Sequence, residues 1–292
     1  DKIEIPNFNN EIKFFLLEHA SRKFDWSGIS PTIFGAVFES TLNPDTKHEF
    51  GMHYTSIENI HKVIDPLFLD DLKAEFAKIK TVSRNRKKLL LDFQDKIANL
   101  KFFDPACGSG NFLTESFISL RRLENEILKE ILKEKIVLGD LDNPVKVSIQ
   151  QFFGIEINDF ACSVAQTALW IAELQMAQET SNIIHRDLDF LPLKSFTNIF
   201  KENALQIDWK EILPADINYI FGNPPFVGGM LMTNKQKSEI TNVWGKINGV
   251  GEMDYVSAWY KKAADFIKNT KIECAFVSTN SIVQGQQAYT VW

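Results

Sequence analysis

The chain has 292 residues, of which 45% are hydrophobic, and its formal net charge is −6. This length and composition allow one large α/β domain, or a core with a helical extension. The acidic balance argues against a surface that is basic throughout. Any nucleic-acid contact must therefore come from local patches, or from chain outside this sequence.

The three cysteines, Cys107, Cys162 and Cys274, are far apart and form no Cys-x-x-Cys pair. Their spacing indicates a reducing, cytoplasmic compartment without a structural zinc or other metal site. No apolar run is long enough for a membrane-spanning helix, and there is no signal-peptide pattern. Because the first residue is not Met and the last follows an apparent strand, we expect a portion of a longer protein.

Residues 1–99 are predicted to form a helical N-terminal region. Thr55 or Ser56 is a suitable N-cap for a helix that begins at Ile57. Two interpretations of this loop stay open: an ordinary helix start, or a loop that closes over a small ligand with Tyr54 and Thr55 presenting polar atoms. Residues 70–100 follow as a long helix or helix pair. Their basic cluster at 84–88 either meets phosphates or is a solvated face.

From residue 100 the pattern alternates between strand and helix, so residues 100–292 are predicted to form a doubly wound, mostly parallel Rossmann-like α/β core. The first strand, 100–103, runs into residues 104–110, DPACGSG, and a long helix. Two glycines allow a tight turn that approaches a ligand closely. The dinucleotide fingerprint requires a third glycine where Leu113 stands, so a nicotinamide cofactor is not favoured.

Polar side chains follow the next two predicted strands. Glu156 lies at the carboxyl end of the strand at 151–158, where it is either a ribose-binding carboxylate or a solvated helix-capping acid. Asn203 follows the strand that begins at Asn198, at a position suited to hydrogen bonding with the edge of an adenine ring. Both side chains are expected at the ligand-binding edge of the sheet.

A further apolar strand, 217–222, stops at Asn223-Pro224-Pro225-Phe226. Two prolines cannot continue a central ladder, so the backbone leaves the sheet there. The Asn223 side-chain oxygen and the Pro224 carbonyl are placed to accept the hydrogens of an exocyclic amine, and Phe226 to stack on a base swung out of a duplex. The alternative is a purely structural role, in which the strand ends in a Pro-Pro turn and Phe226 packs in the core.

Together, DPACGSG at 104–110, NPPF at 223–226 and HYTS at 53–56 resemble the AdoMet-dependent adenine-N6 DNA methyltransferases of the gamma class. Over roughly residues 26–292 the sequence is similar to single-chain type II restriction–modification enzymes. The resemblance implies methyl transfer from S-adenosylmethionine to the N6 amine of adenine in double-stranded DNA, with the target base flipped out. No metal is implied for the transfer.

The resemblance also assigns roles by position. The catalytic residues are Asn223, Pro224, Pro225 and Phe226. Tyr54 and Thr55 lie near the methionine end of the cofactor, Glu156 holds its ribose, and Asn203, where many relatives have Asp, binds its adenine amino group. The full cofactor-binding set is Tyr54, Thr55, Asp104, Ala106, Cys107, Gly108, Asn111, Phe112, Glu156, Ile157, Asn203 and Ala204.

In that family the sheet continues past the strand near Phe276 and a target-recognition domain follows, so the core is expected to be incomplete at its C-terminus. A nuclease, if present, is expected upstream of residue 1. Three alternatives stay open: an N-methyltransferase acting on a protein glutamine or on RNA, a non-catalytic AdoMet-binding or DNA-binding subunit, and a generic nucleotide-binding α/β domain.

Overall fold

The structure is a computed structural model that describes residues 9–15, 18, 28–33, 35, 55–133, 144–185, 196–245, 247 and 249–292. The chain forms two compact units, Asp1–Ser30 and Pro31–Trp292. In the first unit, the described helix is α1, Asn10–Phe15. The second unit joins the helices after residue 55 with the sheet. The functional division at residues 99 and 100 stays a prediction.

The region before the sheet contains α2 (Ile57–Ile64), α3 (Asp70–Thr81) and α4 (Arg86–Ala98). Of the two predicted caps, Ser56 is the N-cap of α2, since its side chain accepts the Asn59 N–H. A π-helical segment, Asp65–Leu69, connects α2 with α3. It contains Pro66, which has no N–H for the regular helical pattern. The predicted helix pair at 70–100 is confirmed.

The described residues after α4 contain five strands, six α-helices and four short 3-10 helices. The strands are β1 (Phe102–Asp104), β2 (Phe152–Glu156), β3 (Asn198–Lys201), β4 (Tyr219–Gly222) and β5 (Glu273–Phe276). The helices are α5 (Asn111–Lys133), α6 (Asp159–Ile184), α7 (Trp209–Ile212), α8 (Asn234–Trp244), α9 (Ser257–Ile267) and α10 (Gly285–Val291).

All neighbouring strands of the sheet are parallel, and their spatial order is β3-β2-β1-β4-β5. The order reverses between β1 and β4, because β2 and β3 extend from one side of β1 whereas β4 and β5 lie on the other. Open sheets of this kind bind ligands beyond the carboxyl ends of the strands at such a switch point. The predicted doubly wound parallel fold is confirmed.

Phe102 and Phe103 of β1 belong to two different hydrophobic cores, one on each face of the sheet. Neighbouring residues of a strand point to opposite faces. Phe102 stacks on Phe152 of β2 at a centroid distance of 4.9 Å and also contacts Phe68 from the π-helical segment. Phe103 packs edge-on against Trp209 on the other face, at 5.0 Å. The N-terminal helices are therefore part of the core beneath one face of the sheet.

The predicted elements exist, but their ends shift. β1 begins two residues later than the predicted strand at 100–103, and the helix predicted over 159–177 continues to Ile184. Tertiary contacts account for this longer helix, since Thr180 is buried and accepts a hydrogen bond from Arg121 of α5. Within the described residues, no helix is long and apolar enough to cross a membrane.

Candidate active site

A cleft of about 1250 Å³, including its open mouth, lies at the carboxyl edge of the sheet. Its walls come from the loops that follow four strands and from α8 and α9. The residues that line it are Thr55, Asp104–Ser109, Asn111, Phe112, Ile155–Ile157, Glu202–Ala204, Asn223, Pro225, Val227, Thr233, Lys235, Gln236, Glu239, Tyr255 and Trp259.

The turn after β1 is held by backbone hydrogen bonds. The Asp104 carboxylate accepts the Ala106 N–H at 2.9 Å, and the Cys107 N–H donates to the Ile155 carbonyl of β2 at 3.0 Å. Gly108 and Gly110 have φ values of +54° and +80°, which favour glycine. A Cβ at Gly108 would meet no atom within 4 Å, so this part of the turn has open space around it.

Glu156 at the end of β2 is tied to this turn. Its Oε2 accepts the Gly108 N–H at 3.0 Å, and its Oε1 accepts the Asn158 N–H at 2.8 Å. The side chain is buried and lines the cleft. Asn158 itself caps α6, since its side chain accepts the Ala161 N–H. Of the two interpretations of Glu156, the geometry favours a carboxylate that faces the cleft over a helix cap.

Burial sets the protonation of two groups in the turn. It raises the pKa of the Asp104 carboxyl from 3.8 to about 8, and the nearby Glu156 adds to the increase. Burial also raises the pKa of the Cys107 thiol well above its usual range. Cys107 is therefore protonated at neutral pH, which does not suit it to act as a nucleophile.

At the end of β4, Asn223 is fixed by the segment that starts α2. Its Nδ2 donates to the Thr55 hydroxyl at 3.1 Å, and Thr55 is buried. The Asn223 Oδ1 is also buried and accepts no hydrogen bond from any described residue. An orphaned buried acceptor is costly and rare in folded proteins. It marks the point where a donor of a ligand is expected.

Side chains from distant parts of the chain form the opposite wall. Asn203, Glu239 of α8 and Tyr255 are joined by hydrogen bonds centred on the Glu239 carboxylate. Trp259 of α9 stacks edge-on against Tyr255 and donates its indole N–H to the Pro105 carbonyl at 3.3 Å. This bond ties the wall to the turn after β1.

The cleft brings most of the predicted site residues together. Those on its wall are Thr55, Asp104, Ala106, Cys107, Gly108, Asn111, Phe112, Glu156, Ile157, Asn203, Ala204, Asn223 and Pro225. Pro224 is buried and Phe226 is half-buried, and neither lines the cleft. Tyr54 lies outside the described residues. The individual roles of all these residues stay predictions.

The sequence pattern did not single out Glu202, Lys235, Gln236, Glu239 or Tyr255, all of which line the cleft. Glu239 lies on a helix rich in polar residues and resembles a solvated acid in the sequence. No local signal distinguishes it. Across the described ranges, no group of three or more His, Cys, Asp and Glu side chains is arranged to hold a metal ion.

Comparison with known families gives a match over most of the chain. The profile of the MmeI DNA-methyltransferase domain matches residues 79–292. DNA methyltransferase A of Bacillus subtilis (strain 168) is 39% identical over 281 residues, which are 95% of this chain and 31% of that protein. This chain therefore spans about a third of the length of that relative.

Solved structures are also similar to this chain. The type IIL restriction–modification enzyme MmeI, solved in complex with DNA, is 44% identical with a TM-score of 0.88, over 98% of this chain and 38% of that one. The ATP-dependent type ISP enzyme LlaBIII, solved bound to DNA, is 17% identical with a TM-score of 0.51. It covers 88% of this chain and 17% of its own, and this likeness concerns the fold alone.

Proposed function

Because the chain belongs to the MmeI DNA-methyltransferase-domain family, we propose that it transfers a methyl group from S-adenosylmethionine (AdoMet) to the N6 amine of adenine in DNA. The observation that carries this proposal is the Asn223 Oδ1. It is buried, held in place through Thr55, and has no hydrogen-bond partner among the described residues.

The chemistry of the amine explains why such an acceptor is needed. The lone pair of an exocyclic amine is delocalised into the ring, so the nitrogen is a weak nucleophile. Asn223 Oδ1 accepts one amine hydrogen, and the Pro224 carbonyl accepts the other. Both bonds favour a tetrahedral nitrogen with its lone pair available for attack, and they strengthen as positive charge develops there. The new C–N bond replaces the C–S bond, and the nitrogen then releases a proton to solvent.

The cleft fits the proposed cofactor in charge and shape. AdoMet, when bound, supplies an electrophilic methyl group on a positively charged sulfur. Apart from Asp104, which is protonated at neutral pH, the acidic and basic residues on the cleft wall are Glu156, Glu202, Glu239 and Lys235. This acidic excess favours a cationic ligand. The protonated Cys107 offers no competing nucleophile, which suits a direct transfer without a covalent enzyme intermediate.

Several of the predicted site residues have a proposed part in binding the cofactor. Glu156 accepts the hydroxyl groups of the ribose, and Ile157, which is 42% exposed, packs on the adenine. Asp104, Ala106 and Gly108 form the turn around the amino-acid end, with Tyr54 and Thr55 nearby. The open space next to Gly108 supports a close backbone approach by the ligand.

DNA is the proposed partner, with its target adenine swung out of the duplex and stacked on Phe226. Support comes from MmeI, a restriction–modification enzyme solved in complex with DNA. This chain covers 38% of the MmeI chain. We propose that the natural protein is the modification part of a cytoplasmic restriction–modification system. Sequence reading would then belong to a target-recognition domain elsewhere in the full chain, which also suits the net charge of −6.

The test identifies the methylated product. The full natural chain is incubated with methyl-labelled AdoMet and unmethylated DNA, and the DNA is digested to nucleosides. We expect label in N6-methyladenine, and about 100-fold less or none with the Asn223→Ala variant in the same time. Label in methylcytosine, in RNA or on protein would contradict the proposed substrate. Label in N6-methyladenine that persists at the wild-type level in Asn223→Ala would contradict the role of the orphaned acceptor.

A further inference from the structure

A buried carboxylate on α8 faces the cleft and has no part in the transfer described above. Glu239 is 5% exposed. Its Oε1 accepts hydrogen bonds from Asn203 Nδ2 at 2.7 Å and from Gln206 Nε2 at 3.0 Å, while its Oε2 accepts one from the Tyr255 hydroxyl at 2.5 Å. A buried charge needs such partners. The three bonds fix the position of the carboxylate on the cleft wall.

The hydrogen bonds of the Asn203 amide determine which of its donors and acceptors remain available to a ligand. Its Oδ1 accepts the Leu205 N–H at 2.9 Å, and one Nδ2 hydrogen points to Glu239. An Asn side chain has two N–H donors, and a carboxylate has about four acceptor positions. One N–H of Asn203 and one acceptor position on Glu239 Oε2 are therefore unused by the described residues. Both side chains line the cleft.

A donor beside an acceptor matches one edge of adenine, whose ring N1 accepts a hydrogen bond next to the 6-amino donor. Hypoxanthine presents the reverse pattern, with a donor at N1 and an acceptor at O6. We propose that Glu239 accepts the 6-amino group of the cofactor adenine and, with the Asn203 N–H, selects adenine over 6-oxopurines. This proposal rests on the proposed function. It moves the acceptor role from Asn203 to Glu239.

The test is a binding ratio, which does not depend on catalysis. Calorimetry on the full natural chain compares S-adenosylhomocysteine with S-inosylhomocysteine, which differ at the 6-position and the adjacent N1. A hydrogen bond to a charged group predicts that the wild type prefers the adenine form by about 10- to 100-fold. In Glu239→Gln the side-chain amide can donate to O6 by turning, so we expect the preference to fall to about threefold or less.

Two further variants separate recognition from structure. Gln206→Ala removes one of the three donors to Glu239 at a residue that does not line the cleft, so it should lower the preference for adenine less than Glu239→Gln does. Asn203→Asp combined with Glu239→Gln exchanges the amide and the carboxylate, and we expect it to restore the preference for adenine. Melting temperatures measured alongside identify any variant that fails to fold.

The outcomes distinguish the two proposals. If Glu239→Gln weakens both ligands equally, or the double variant stays without preference while folded, Glu239 has a structural role only and this proposal is wrong. Binding of S-adenosylhomocysteine by the wild type would still support the proposed cofactor. If the wild type binds neither ligand, the cofactor assignment itself is wrong, and the role of Glu239 falls with it.

Discussion

The two walls of the cleft are built in different ways. The glycine-turn wall, formed by residues 104–112 with Glu156, is fixed by backbone N–H groups that point at Asp104 and Glu156. The α8 wall, formed by Asn203, Glu239 and Tyr255, is fixed by side chains that bond to one carboxylate. The first wall depends on chain conformation, whereas the second depends on the identity of a few side chains. Substitutions should therefore affect the two walls differently.

The largest expected effect concerns the protonation of Asp104. The folded protein keeps this proton up to about pH 8, whereas an unfolded Asp releases it near 3.8, so its burial destabilises the fold increasingly as the pH rises between those values. Asp104→Asn removes this cost. The free energy of unfolding of the variant minus that of the wild type, measured with urea, should increase by up to about 4 kcal/mol from pH 5 to pH 8.

Asp216→Asn is the matched control. Asp216 is an exposed residue whose pKa is lowered by its pairing with Lys101, so it is ionised at both pH values. The difference between this variant and the wild type should be the same at pH 5 and pH 8. A flat difference for Asp104→Asn as well would show that Asp104 is ionised in the folded protein.

Gly222→Ala tests the dependence of the glycine-turn wall on chain conformation. Gly222 has φ +149°, and a Cβ there would overlap the Asp104 carboxylate of the neighbouring strand. We expect a loss of about 3 kcal/mol in the free energy of unfolding. Gly249 also has a positive φ, +87°, in the left-handed region, but a Cβ there would meet no atom within 4 Å, so Gly249→Ala is the control. It should cost only about 1 kcal/mol of backbone strain, and equal losses for both would contradict the proposed clash.

Glu156→Gln tests the proposed contact between the glycine-turn wall and the cofactor. The substitution keeps the size of the side chain and removes the charge that we propose accepts the ribose hydroxyls. AdoMet affinity, measured by calorimetry, should fall about 10- to 100-fold. Glu202 lines the same cleft but is exposed, so Glu202→Gln should change affinity about threefold or less. Similar losses in both variants would indicate a general charge effect rather than a specific contact.

The smallest expected effects distinguish the roles of the neighbouring residues Thr55 and Ser56. Thr55→Val removes the hydroxyl that holds Asn223 Nδ2, so the methyl-transfer rate should fall about tenfold while the fold remains. Ser56→Ala removes the N-cap of α2 instead and should cost about 1 kcal/mol of stability without a change in rate. Rate and urea unfolding are measured on both variants. A rate loss in Ser56→Ala alone would reverse the assigned roles.

The difference between the walls also explains how far the sequence could predict the site. The turn at 104–110, Glu156 and Asn223 each follow a short apolar strand, and parallel strands bring such ends to one edge. Glu239 is 36 residues from Asn203 and 16 from Tyr255. No local sequence pattern predicts these hydrogen bonds, because they form only when α8 packs against the cleft. The existence of these strands was predictable for the same local reason, while the ends of the elements moved with tertiary contacts.

One paired measurement on Asn223→Ala tests the central claim that the orphaned acceptor serves transfer rather than cofactor binding. AdoMet affinity and single-turnover methyl transfer to DNA are measured on the same preparation of the full natural chain. We expect transfer to fall by about 100-fold or more, while AdoMet affinity stays within about twofold of the wild type. Transfer at the wild-type rate, or a loss of AdoMet affinity as large as that of Glu156→Gln, would contradict the claim.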